Sequence, residues 1–98
     1  MNQPAASNGL LFSLGDLIAT PGALSVLEKN GIVPMRLIAR HIRGDWGDVR
    51  TDDAAANTEA LRIGARLQSS YTLPDRARIW IITEADRSST TLLLPEEY

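Results

Sequence analysis

His41, Asp45, Trp46 and Asp48 fall within eight residues, and Glu84, Asp86 and Arg87 within four. A histidine beside two carboxylates, in a segment flanked by Gly44 and Gly47, has the composition of a general base with an orienting acid, or of part of a metal site. Its place at a predicted helix C-terminus favours the protonated ring, which suits an ion pair better than metal ligation. If the loop 44–50 folds against the turn 84–90, all six polar side chains gather around Trp46, with Arg87 as an anion clamp. That is the arrangement a small hydrolase or nuclease would need. The structural alternative leads, because loops and hairpins favour these residue types. In it His41 packs at the core edge, Asp45 and Asp48 bind loop amides or cap the next helix, Trp46 anchors its loop, Asp86 makes an Asx-turn and Arg87 pairs with Glu84.

A second constellation is basic. Pro34 opens a predicted helix to about Arg43, and at 100° per residue Arg36, Arg40 and Arg43 share one arc while Met35, Ile38, Ala39 and Ile42 share the opposite, core-facing one. Leu37 and His41 lie between the two. A preceding helix, a turn glycine at Gly31 and this arginine stripe together suggest a helix-turn-helix DNA-binding regulator. Against it, the outer arc carries none of the Asn, Gln or Ser that usually read base edges, so a helix hairpin with a solvated basic face is the simpler reading. No cofactor and no metal site are expected. The chain contains no P-loop, GxGxxG, HExxH or GxSxG pattern.

The elements that must position these residues are legible in outline. Residues 1–9, MNQPAASNG, read as a frayed tail, and residues 10–98 as a single α+β domain. Thr20 supplies a helix N-cap and Pro21 the first helical position, for a helix to about Asn30 that Gly31 ends. Thr51 is expected to cap a third helix running to about Gly64, with Asp52 and Asp53 in its first turn. From Leu67 the pattern changes to period two. Strands at about 67–73, 78–84 and 90–94 form an antiparallel meander, with Ile79–Trp80–Ile81–Ile82 as a central strand apolar on both faces. The expected fold is therefore this three-stranded C-terminal meander, open to a fourth strand from the N-terminal segment, with two or three helices packed on one face.

Composition bounds the class. At 98 residues with 44% hydrophobic content one core is affordable and two are not. The absence of cysteine excludes a disulfide framework, a thiolate zinc site and a cysteine nucleophile. A net charge of −2 argues against a protein that coats nucleic acid. No apolar run approaches the length of a membrane helix and the first residues do not read as a secretory signal, so no membrane partner and a cytoplasmic location are the expectations.

HIRGDWGD (His41 to Asp48) and IWIITEADRSSTTLLLPEEY (Ile79 to Tyr98), with ATPGAL (Ala19 to Leu24), resemble a family of short plasmid-related proteins of proteobacterial plasmids and integrative elements. The resemblance runs from about Leu14 to Tyr98. Members sometimes carry a type I restriction or modification label, which a chain without a glycine-rich cofactor loop or an NPPY-type motif does not support. The resemblance implies a mobile-element context and no catalytic residues. The expectation for function is a non-enzymatic accessory protein acting through contact with a host or plasmid protein, with Trp46, Arg36, Arg40 and Arg43 as candidate binding residues. A homodimer is compatible with it, since a short meander leaves strand edges for a two-fold partner to cover.

Overall fold

The structure, a computed structural model, describes residues 10–98; the tail reading for residues 1–9 lies outside them. Local chemistry sets the helix boundaries. Helix α1 (Pro21–Lys29) starts where the Thr20 hydroxyl accepts the Ala23 N–H at 3.0 Å, and the chain leaves it through Gly31 at φ +66°. Helix α2 (Pro34–Ile42) again begins on a proline, and α3 (Thr51–Ile63) ends at Gly64, in the left-handed region at φ +75°. Two expectations are corrected here. Arg50 rather than Thr51 is the N-cap of α3, and it makes no side-chain cap bond. Met35 is 56% exposed, and the buried arc of α2 is Leu37, Ile38, His41 and Ile42. The helix is rolled toward His41 because that ring finds hydroxyl partners on the sheet, which a count of apolar residues cannot anticipate.

Four strands form one sheet: β1 (Asp16–Ala19), β2 (Leu67–Thr72), β3 (Arg78–Thr83) and β4 (Ser89–Leu93), in the order β1-β4-β3-β2. The last three make the expected antiparallel meander, with β3 inside it. The N-terminal strand does join, and it pairs parallel to β4, so the sheet is mixed. Register puts Leu17, Ala19, Thr90, Leu92, Ile79, Ile81, Thr83, Leu67, Ser69 and Tyr71 on one face, which meets Ala23 and Leu27 of α1 and Leu37 and Ile38 of α2 in the main core. The other face carries Ile18, Leu93, Trp80, Ile82 and Ser70. There Trp80 meets Tyr98 edge-on at 5.7 Å, and the Arg66 guanidinium lies over the Tyr98 ring, as the chain ends in a short 3-10 turn (Pro95–Glu97). A second cluster, Trp46, Ala60 and Leu67, seats α3 beside β2.

Candidate functional site

The residues predicted to gather around Trp46 are each engaged by a different part of the fold. His41 is fully buried. Its Nδ1 lies 2.5 Å from the Ser69 hydroxyl and its Nε2 2.9 Å from that of Thr83; Thr83 meets Thr90 at 2.7 Å, and Thr90 donates to the Leu14 carbonyl at 2.7 Å. The terminal carbonyl fixes the direction of the bonds between it and the ring, and the neutrality that burial imposes on the ring fixes the last. Thr90 must donate to it, so Thr83 donates to Thr90, His41 Nε2–H donates to Thr83, and Nδ1 accepts from Ser69. The ring is the neutral Nε2–H tautomer. Burial, with a smaller contribution from the Arg87 charge, lowers its pKa to about 4. Phe12 and Trp46 close over it edge-on, at 5.2 and 5.6 Å. The relay crosses the sheet from β2 to the segment preceding β1, and both ring nitrogens are occupied by hydroxyls rather than by Asp45.

Asp45 accepts from Arg40 at 2.7 and 3.2 Å and from the Gly47 N–H at 3.2 Å, and the guanidinium holds its carboxyl below the usual range. Arg40 also lies over the Tyr71 ring at 4.6 Å, and the Tyr71 hydroxyl, pushed up to about 12 by burial, donates to the Asp45 carbonyl at 2.6 Å. Asp86 accepts the Ser88 N–H at 2.9 Å, which is the predicted Asx-turn. Arg87 pairs with carbonyls rather than with the Glu84 carboxylate. Its guanidinium donates to Ala65 at 2.6 Å, to Ala60 at 3.3 Å and to the Glu84 and Ala85 carbonyls, tying the β3–β4 turn to the end of α3. Glu84 is exposed. The loop and the turn do approach one another, but through rings: Arg87 over Phe12 at 5.6 Å, Phe12 stacked on Trp46 at 6.4 Å. Among the described residues no group of three His, Cys, Asp or Glu gathers as a metal site would require. No helix of the described residues is long and apolar enough to cross a membrane.

The candidate binding residues are likewise redistributed. Trp46 is buried, and Arg40 is committed to Asp45 and Tyr71, so of the basic stripe only Arg36 and Arg43 stand exposed beside it without a side-chain bond among the described residues. What the structure shows instead is a difference between the two edges of the sheet. On the outer edge of β2, Gln68 exchanges two hydrogen bonds with the Asn57 side-chain amide, at 2.7 and 3.1 Å. Ser70 exchanges two with the backbone of the 46–48 loop, donating to Trp46 at 3.0 Å and accepting from Asp48 at 2.6 Å. The Thr72 N–H ends on the Asp48 carboxylate at 3.1 Å, and hydrogen bonding from Thr72 holds that carboxyl below its ordinary range. Gly47, at φ +73°, makes this approach feasible, since a Cβ there would lie 2.1 Å from the Ser70 carbonyl oxygen.

The outer edge of β1 has no partner among the described residues. Asp16 and Thr20 send their N–H groups to Ser88 and Leu92, each at 3.0 Å, so the even positions face β4 and the N–H and C=O of Leu17 and Ala19 face outward. No described residue bonds them. Leu17 and Ile18, on opposite faces, are 49% and 48% exposed, and the preceding segment lines a groove of about 640 Å³ formed by residues 10–15 with Ile42. Sequence reasoning missed Ser69, Thr83, Thr90 and Asn57. A signal for the first three was available: they are hydroxyls on the otherwise apolar inward face of their strands, and such groups need partners. In comparisons with known protein families, curated proteins and solved structures, the chain matches none.

Proposed function

We propose that the protein is an accessory protein that works by protein–protein contact, without a catalytic step, and that the contact is made at the β1 edge. The observation that carries this reading is the asymmetry of the sheet. Every outward backbone group of Gln68 and Ser70 on β2, and the Thr72 N–H, has a partner, whereas those of Leu17 and Ala19 on β1 have none among the described residues and are flanked by exposed leucine and isoleucine. An uncovered edge flanked by exposed apolar side chains is a template for another strand, here limited to the four residues between Gly15 and Thr20 and bearing one charge, at Asp16. The side chains with catalytic potential support the same reading from the other direction. His41, Asp45, Asp48, Asp86 and Arg87 are engaged in holding loops and turns. The resemblance to plasmid-related proteins supports seeking the partner among host or plasmid proteins.

The test is recovery of partners from a native host by the wild-type protein and by Ile18→Lys, which places a charge on the exposed edge without touching the core. A specific host or plasmid protein recovered by the first and lost with the second is the expected result. Equal recovery by both proteins, or no specific partner for either, overturns the reading.

A further inference from the structure

We infer that the β1 edge pairs with the β1 edge of a second copy, antiparallel and in one register, to join two sheets across a two-fold axis at Ile18. The inference rests on the reading of that edge as a contact surface and names the strand that occupies it in the free protein; a host strand at the same edge would displace the second copy, since both need the outward groups of Leu17 and Ala19. A two-fold relation between identical antiparallel strands requires that paired residue numbers have a constant sum. Only the register pairing Leu17 with the partner's Ala19 uses every outward group. Leu17 and Ala19 then form mutually hydrogen-bonded pairs with the partner's Ala19 and Leu17, and Ile18 faces the partner's Ile18 as the closer, non-hydrogen-bonded pair. Moving the axis to Ala19 sets Leu17 against the partner's Pro21, which has no N–H. Moving it to Leu17 sets Ala19 against the partner's Gly15, whose φ of +65° is not that of a strand.

The side chains agree with this register. Leucine stands opposite alanine on one face and isoleucine opposite isoleucine on the other, while Asp16 faces the partner's Thr20 instead of its own copy. The axis is perpendicular to the sheet, so the helix-bearing faces of the two copies become continuous. The first turn of the partner's α1, where Leu24 is 45% exposed, then runs toward the apolar groove of residues 10–15. Four-residue strands alone bury less than a standard interface requires, so the association is weak and concentration-dependent. One like-charge contact opposes it. Glu97 accepts from the Thr20 hydroxyl at 2.7 Å and so stands near the partner's Asp16.

The chain lacks cysteine, so single thiols report the geometry directly. The experiment is mild oxidation of Ile18→Cys and Leu17→Cys, with sedimentation of the wild type, Ile18→Lys and Asp16→Asn over a concentration series. Non-hydrogen-bonded antiparallel pairs have Cα atoms about 4.5 Å apart, within disulfide range, whereas two Leu17 positions are offset by two residues. Ile18→Cys should become a covalent dimer that keeps its circular dichroism, and Leu17→Cys should remain largely monomeric. Ile18→Lys should stay monomeric where the wild type dimerises, and Asp16→Asn should tighten the dimer several-fold. Equal cross-linking of both cysteine variants, or a wild type monomeric at millimolar concentration, overturns the inference. A host partner still lost with Ile18→Lys, without self-pairing, would leave the proposed function standing. Self-pairing without any other partner would do the reverse.

Discussion

The two edges of the sheet face the same physical problem and solve it differently. A strand edge presents N–H and C=O groups that must find partners or water. At β2 the chain itself supplies partners for the outward groups of Gln68 and Ser70 and for the Thr72 N–H, by three devices in succession: the Asn57 amide in place of a strand residue, a short parallel bridge at Gly47, and the Asp48 carboxylate. At β1 the edge is short, flanked by exposed leucine and isoleucine, and without a partner among the described residues. The difference teaches where the carboxylates went. Asp45 and Asp48, which read in the sequence as candidate acids, fasten the loop that covers β2, and the polar relay through His41 spans the sheet from that covered edge to the segment before β1.

If the covered edge is built this way, Gly47→Ala should be the most damaging change. A Cβ beside the Ser70 carbonyl and a positive φ together should cost about 4 kcal/mol, measured by urea denaturation. A loss below 1 kcal/mol would mean that the bridge is not what holds the loop.

Acidification should come next, and it tests the relay that joins the two edges. His41 titrates near 4 in the folded chain and near 6.5 when unfolded, so only the unfolded chain takes up a proton between these values. Its contribution is therefore complete above pH 6.5 and falls as pH drops toward 4, by about 3 kcal/mol. The carboxyl groups of Asp45, Asp48, Asp75, Asp86 and Glu97 are all held lower, and their contributions are lost from about pH 5 downward, overlapping the acid end of that window. His41 is the only histidine, so His41→Gln should abolish the slope between pH 6.5 and about 5; an unchanged slope there would detach it from the relay.

Asn57→Ala should cost about 2 kcal/mol, because it strands the Gln68 N–H and C=O beside α3. Hydrogen exchange should accelerate more at Gln68, which loses its partner directly, than at Ile81, which follows the global loss alone. The smallest effect on stability belongs to the open edge: Leu17→Thr and Ile18→Thr should each change it by less than about 0.5 kcal/mol. A large loss there would show that β1 is held by its side chains and that the contrast between edges is overstated.

The parts of the fold that depend on local rules were readable. Thr20–Pro21 and Gly31 bound α1 because a hydroxyl cap, a fixed φ and a left-handed glycine act within one turn. The run Ile79–Ile82 announced an inner strand because both pleat faces are apolar. The site was less legible. The sequence marks Asp86 as an Asx-turn residue since its partner is two residues away, whereas spacing pairs Arg87 with Glu84 and the fold sends it to the carbonyls of Ala60 and Ala65. Periodicity puts Met35 inside because it locates an apolar arc only to within about a residue, and the hydroxyls that draw His41 inward lie 28 and 42 residues away.

By itself the sequence determined an α+β chain, its helix ends, its C-terminal meander and the chemical types of its polar residues, all of which follow from neighbours within a turn or a strand. The tertiary structure alone decided which groups those polar residues meet. Histidine bonds serine and threonine, aspartate closes a strand edge, arginine caps a helix, and the N-terminal strand takes the far edge with nothing on its outer side among the described residues. Hydrogen bonds act over about 3 Å, and which residues come within that range is set by the packing of distant segments, so spacing along the chain does not reveal it.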